Sequence, residues 1–126
     1  MISIDSLNSI AAGSKPFTFE YTFKNGRKSG VFLSVLGEDA ESVAVEQAAL
    51  MASERARKET IEAQGGKYEW DAVKMGQKMA ALRLVGWDGI GDPFSRENAE
   101  KLCIGNQRIA DEIIRHSSEQ ANFIQL

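Results

Sequence analysis

The chain has 126 residues, of which 43% are hydrophobic and 26% charged, and its formal net charge is −3. Length and composition predict one soluble globular domain covering residues 1–126, and they exclude extensive disorder. The negative charge argues against non-specific nucleic-acid binding, which needs a basic surface to neutralise phosphates.

The cysteine and histidine content limits the chemistry further. The chain has one cysteine, Cys103, so no internal disulfide can form, and one histidine, so no cysteine–histidine zinc cage can be built. No apolar run approaches the ~20 residues of a membrane span, and the first residues lack the pattern of a signal peptide. We therefore expect a cytosolic protein that is not associated with a membrane.

Residues 1–15 mix serine and glycine with isolated apolar residues and predict an irregular lead or a short strand. Residues 16–37 then predict a β-hairpin. Positions 17, 19, 21 and 23 are all aromatic and alternate with polar residues, which is the period of a strand. Asn25-Gly26 follows, and this dipeptide is a strong hairpin-turn signal.

The register of the hairpin depends on the length of its connection. A two-residue turn would pair Phe19 with Phe32, whereas an odd-length connection or a bulge near Gly30 would pair Phe19 with Leu33. We favour the second register because it gathers the large apolar residues on one face. It also predicts the pairs Phe17 with Val35 and Tyr21 with Val31.

Residues 39–126 predict a helical part with three main helices. An alanine-rich segment from residue 38 to 64 ends at Gly65-Gly66, and a second helix is predicted over residues 68–87. Residues 95–124 predict a long amphipathic helix capped by Ser95, with Gly105 as its weak point. The predicted fold is thus α+β and mostly helical, with an N-terminal antiparallel β-hairpin followed by three main α-helices.

No constellation of residues indicates catalysis. Asp88 and Asp92 flank glycines but do not supply the alternating oxygen ligands of a calcium loop. Cys103 and His116, thirteen residues apart on one predicted helix, would lie roughly 20 Å from each other and could not act as nucleophile and base. We expect no catalytic, cofactor-binding or metal-binding site, and hence no enzyme.

One stretch of the sequence resembles a known family. The order "VGW" (85–87), a short Gly/Asp linker, "PFSREN" (93–98), a helix and "ANF" (121–123) is similar to the tail assembly chaperones of long-tailed, siphovirus-type bacteriophages. The resemblance covers about the last 45 residues. The positions that match the family motif are Trp87, Pro93, Phe94, Ser95, Asn98 and Phe123.

The resemblance implies a non-enzymatic role. Such chaperones bind the long tape measure protein in the host cytoplasm, keep its helical segments soluble, help to recruit tail tube subunits, and are absent from the mature virion. In many of these phages a ribosomal frameshift also produces a longer form. We further expect self-association, because a coating protein gains avidity from its neighbours and the hairpin has an edge available for pairing.

The partner surface is predicted on two helices. Binding to many sites along an extended partner requires shallow apolar faces of weak individual affinity. Such faces are offered by the first predicted helix, at Ala48, Leu50 and Met51, and by the last one, at Ile109 and Ile113. Trp87 and Phe94 have two interpretations: aromatic plugs of the corner between the last two helices, which we favour, or exposed anchors for a partner.

Two other classes of function remain open. One is a structural component of the phage tail or of the head–tail junction. The other is a small α+β regulator that binds nucleic acid through "KNGRK" (24–28) and through Lys74, Lys78 and Arg83. A solvated hairpin turn is the simpler interpretation of "KNGRK".

Overall fold

The computed structural model describes residues 1–124, and it confirms an α+β, mostly helical fold with an N-terminal antiparallel hairpin. The sheet has three strands in the order β1-β2-β3. The elements are α1 (Ser9–Gly13), β1 (Phe17–Thr22), β2 (Lys28–Val35), α2 (Glu41–Ala63), α3 (Ala72–Ala81), β3 (Leu84–Asp88), α4 (Arg96–Gly105) and α5 (Gln107–Ser118), with 3-10 turns at Asp5–Leu7 and Gln120–Asn122.

The hairpin adopts the bulged register. Phe17 pairs with Val35 and Phe19 with Leu33, as predicted, and the register shifts between Glu20 and Thr22. Gly30 lies opposite this shift with φ of +75°, a backbone conformation that favours glycine. The shift takes Tyr21 out of its predicted pairing with Val31, which is a correction to the last pair of the hairpin.

The prediction of a second helix over residues 68–87 is wrong at both ends. The helix α3 begins after Asp71, whose side chain caps it by accepting a hydrogen bond from the amide of Lys74. It ends at Ala81, and residues 84–88 form β3 instead, antiparallel to β2, with Trp87 opposite Leu33. Pairing with a central strand overrides the local helical pattern, because the strand places Leu84 in the core.

The long last helix is two helices. The chain breaks at Asn106, which has extended φ and ψ of −142° and 87°, so α4 ends at Gly105 and α5 starts at Gln107. Four helices, not three, therefore follow the hairpin within residues 1–124. The lead is not wholly irregular either, because Asn8 caps the short helix α1 by accepting a hydrogen bond from the amide of Ala11.

The main core lies between the sheet and helices α3, α4 and α5. Its buried members are Phe19, Leu33, Val35, Ala80, Ala81, Leu84, Ala99, Cys103, Ile109, Ala110 and Ile113. A smaller cluster of Leu36, Ala40, Val43 and Leu82 fixes the start of α2. No helix in the described part of the chain is both long and apolar enough to cross a membrane.

Candidate partner-binding surface

Helix α2 is the longest element of the chain. It contains 23 residues without glycine or proline, which corresponds to a length of about 35 Å. Gly65, with φ of +79°, follows its C-terminal end. Val43 is the buried residue of this helix in the described structure, and the others are exposed or half-buried. The helix is therefore anchored near its N-terminus and presents most of its length to solvent.

The inner side of α2 is tied to the loop that follows it. The carboxylate of Glu54 accepts hydrogen bonds from Arg57 and from the hydroxyl of Tyr68, each at 2.6 Å. The guanidinium of Arg57 also lies 5.2 Å from the centre of the Tyr68 ring. The hydrogen bonds from Arg57 and Tyr68 lower the pKa of Glu54 to about 2. This contact holds Tyr68, in the loop after α2, against the helix.

Between Val45 and Ala52, the opposite side of α2 is apolar and uncovered in the described structure. We define the α2 outer surface as Val45, Ala48, Met51 and Ala52, which follow one another at helical spacing and are all exposed. The exposed fractions of Val45 and Met51 are 62% and 37%. Alanine leaves the helix backbone close to an incoming partner, so this surface suits a second helix lying along it.

The structure separates the five predicted partner-binding residues. Ala48 and Met51 lie on the α2 outer surface, and Leu50 is half-buried against the cluster at the start of α2. Ile109 and Ile113 are buried, with exposed fractions of 7% and 0%. Their assignment to a partner surface is wrong, because the apolar side of α5 packs into the main core, against helices α3 and α4 and the sheet.

Trp87 and Phe94 meet at the connection between β3 and α4. Their rings are edge to face, with centroids 5.0 Å apart. The indole N–H of Trp87 donates to the carbonyl of Asp92 at 3.0 Å. Both rings are half-buried and pack against the main core. This geometry favours the plug, although the corner it closes lies between a strand and a helix and not between two helices.

The "PFSREN" motif builds the start of α4. The hydroxyl of Ser95 accepts a hydrogen bond from the amide of Asn98 at 3.0 Å, which makes Ser95 the predicted N-cap. The side-chain amide of Asn98 in turn donates to the carbonyl of Pro93 at 2.8 Å. Arg96 donates from the same turn to the carbonyls of Ala81 and Leu84. These contacts fix the direction in which the chain enters α4.

One glycine of the stretch between β3 and α4, Gly89, is required by the structure. Its φ is +82°, and a Cβ at this position would collide with the carbonyl oxygen of Gly30 in the hairpin bulge. Gly91, two residues later, has neither a positive φ nor any atom near such a Cβ. The two glycines of "GIG" thus differ, and only Gly89 is required by a close approach of two backbones.

The last motif residue, Phe123, packs at a different place. Its half-buried ring lies edge-on to Phe17 at a centroid distance of 6.1 Å and close to Gly37, beyond the end of β2. The six motif residues therefore form two structural contacts, one at the start of α4 and one beneath the hairpin.

Cys103 and His116 lie on separate helices, α4 and α5, and not on one helix as predicted. Cys103 is fully buried on α4, and burial raises the pKa of its thiol to about 12. His116 lies on α5 with its ring stacked on Phe19 at 3.9 Å, and burial lowers its pKa. Within residues 1–124 no three or more His, Cys, Asp or Glu residues come together as metal ligands.

Arg83 does not lie on a basic surface. Its exposed fraction is 8%, and its guanidinium donates to the carbonyl of Met79 at 2.5 Å. Among the described residues its Nε has no hydrogen-bond partner. Arg83 is therefore not placed to contact a phosphate beside Lys74 and Lys78, which removes one residue from the predicted nucleic-acid surface.

Comparison of the chain with models of protein families, with curated proteins and with solved structures finds no match.

Proposed function

We propose that this protein is a tail assembly chaperone of a long-tailed bacteriophage, which binds the tape measure protein and keeps it in solution. It acts without catalysis, in the host cytoplasm, and it leaves before the virion is complete. During assembly it helps to bring tail tube subunits to the tape measure protein.

The observation that carries this proposal is the α2 outer surface. A helix of about 35 Å that is anchored near one end presents a short row of small and apolar side chains, from Val45 to Ala52, to solvent. Tape measure proteins are long and helical, so an apolar helix face offers them a matching contact. Its small side chains give a low affinity at each site, which suits a protein that must later be displaced.

The structural roles of the family-motif residues also support the proposal. Its residues close the corner at Trp87 and Phe94 and cap α4 through Ser95 and Asn98. A motif with these folding roles is expected to be shared by proteins of one fold. It fixes the start of α4 against the body of the molecule and leaves the α2 outer surface exposed for the partner.

The proposal is tested by co-expression. The tape measure protein encoded in the same genome is produced in bacteria with and without this chain, and its soluble fraction is measured. We expect it to aggregate alone and to remain soluble, and to co-purify, when this chain is present. Equal aggregation in both cases would contradict the proposal.

A structural component of the tail or head–tail junction is the second candidate, favoured by the same exposed apolar surface, which would be covered permanently in a particle. Mass spectrometry of purified virions separates the two functions. A chaperone is absent from the particle, whereas a structural component is present at a fixed copy number.

A further inference from the structure

Strand β1 lies at the edge of the sheet, next to β2 alone. The direction of its main-chain groups follows from the strand pairing. The amide of Leu36 donates to the carbonyl of Arg83, on the β3 side. Main-chain groups alternate in direction along a strand, so those of Leu33 and Val35 point towards β1. The main-chain groups of their partners Phe19 and Phe17 therefore point towards β2. Those of Thr18 and Glu20 point away from β2, to the outer edge of the sheet.

Two contacts agree with these directions. The carbonyl of Tyr21 accepts a hydrogen bond from the hydroxyl of Ser29 on β2, so it points inward. The carbonyl of Thr22 accepts one from Arg108 at 3.5 Å, on the outer edge. Within residues 1–124 no hydrogen bond from outside the hairpin reaches the main chain of Thr18 or Glu20. The amide and carbonyl groups of these two residues are left for another strand.

We propose that this strand is β1 of a second copy, paired antiparallel about a twofold axis that passes beside Phe19. Thr18 of each copy then lies opposite Glu20 of the other. In each of these two pairs both residues donate an amide hydrogen and accept one at the carbonyl. The dimer forms four main-chain hydrogen bonds and joins the two sheets into one of six strands.

The ends of the strand select this register. It places Pro16 of one copy opposite Thr22 of the other. Proline has no amide hydrogen, so it cannot donate to the carbonyl of Thr22. Arg108 of the same chain already donates to that carbonyl. The carbonyl of Thr22 thus receives no hydrogen bond from the second copy, but it already accepts one from Arg108 within its own chain. For this reason we choose a second copy as the strand that pairs with this edge.

The side chains facing the helices also fit this pairing. Phe17 lies opposite Tyr21 of the second copy, and Phe19 lies opposite its own equivalent. Phe17 and Tyr21 are half-buried in one copy, so part of each ring is available for contact across the strands. Aromatic cross-strand pairs of this kind stabilise antiparallel sheets. The interface is small, so we expect a weak dimer whose population depends on concentration.

The first test removes the outward amide of Thr18. Thr18→Pro eliminates two of the four hydrogen bonds of the dimer and leaves the inward bonds of Phe17 and Phe19 in place. Thr18→Val is the matched control, since both variants lose the hydroxyl that contacts Ser34 but valine keeps the amide. By sedimentation equilibrium we expect Thr18→Pro to weaken dimerisation by about tenfold or more, and Thr18→Val to dimerise like wild type.

The second test reads the register directly and does not depend on the proline variant folding. Protein carrying Thr18→Cys is mixed with protein carrying Glu20→Cys and treated with a short bifunctional thiol reagent. Opposite residues of a hydrogen-bonded pair have Cα atoms about 5.5 Å apart, so the mixture should cross-link efficiently. Thr18→Cys alone, whose thiols lie diagonally across the pair, should cross-link poorly. Buried Cys103 is shielded from the reagent.

Cross-linking of the mixture above the single variants supports the proposed pairing. A strictly monomeric wild-type protein at high concentration would overturn it. So would equal cross-linking in all samples, or a folded Thr18→Pro variant that dimerises like wild type. None of these measurements requires the tape measure protein, so the dimer can fail while the chaperone function holds, and the reverse.

Discussion

The indole N–H of Trp87 donates to the carbonyl of Asp92 at 3.0 Å, and this bond ties the loop after β3 to the edge of the ring. Trp87→Ala removes the bond and the contact with Phe94. Since the ring is only half-buried, we expect a loss of about 2 kcal/mol in the free energy of unfolding, less than for a fully buried aromatic. Urea denaturation measures this loss.

Trp87→Phe is the control for the same site. It keeps a ring against Phe94 but lacks the indole N–H, so we expect a loss of about 1 kcal/mol. If Trp87→Ala unfolds at the same urea concentration as wild type and yet fails to bind the partner, the ring is an anchor and not a plug.

Gly89 and Gly91 provide a matched pair. Gly89→Ala places a Cβ against the carbonyl of Gly30 at a positive φ, and we expect a loss of roughly 1–3 kcal/mol or more. Gly91→Ala adds a Cβ in open space, and its effect should stay within about 0.5 kcal/mol. Thermal melting of both variants distinguishes them. Equal melting temperatures would mean that the hairpin bulge and the end of β3 are not in contact.

Arg83 carries a buried positive charge whose Nε has no partner in the described residues. Burial lowers its pKa, which reflects the unfavourable desolvation of the charged group. Arg83→Met keeps the aliphatic packing and removes the charge, so we expect unchanged or increased stability in urea denaturation. Arg83→Ala should destabilise through lost packing. A clear loss of stability in Arg83→Met would show that the bond to Met79 outweighs desolvation.

The carboxylate of Glu54 should titrate far below its usual range. Its pKa in the folded protein is about 2, against an ordinary value of 4.5. For an acid with a lowered pKa, the stabilisation is complete above pH 4.5 and is lost as the pH falls towards 2. NMR titration measures the midpoint. Tyr68→Phe, which removes one donor, should raise it, and an unchanged midpoint near 4.5 in both proteins would exclude this contact.

The sequence predicted the elements whose signals are local. Alternating aromatic residues and Asn25-Gly26 indicated the hairpin, and clustering of apolar residues on one face indicated its bulged register. The cap at Ser95 followed from its position before an amphipathic segment. These features depend on residues close in the chain, so pattern and propensity are sufficient to find them.

The features that were missed depend on contacts between distant residues. The local pattern of residues 84–88 is typical of the end of a helix, and these residues form a strand because they pair with β2. In the same way, Ile109 and Ala48 both lie on apolar helix faces, and the sequence does not tell which of these faces the core covers. In the structure Ile109 is buried in the main core and Ala48 is exposed.

The most direct test of the chaperone proposal places a charge on the α2 outer surface. Ala48→Glu inserts a carboxylate among exposed apolar residues, and Ser53→Glu inserts the same charge about 140° around the same helix. Both positions are exposed, so the free energy of unfolding of both variants should lie within about 0.5 kcal/mol of the wild-type value. The measured quantity is the soluble fraction of the co-expressed tape measure protein.

We expect Ala48→Glu to leave the tape measure protein aggregated, and Ser53→Glu to keep it soluble as wild type does. The charge would have to be desolvated at the first position and would stay in water at the second. A folded Ala48→Glu variant that keeps the tape measure protein as soluble as wild type does would contradict the assignment of this surface.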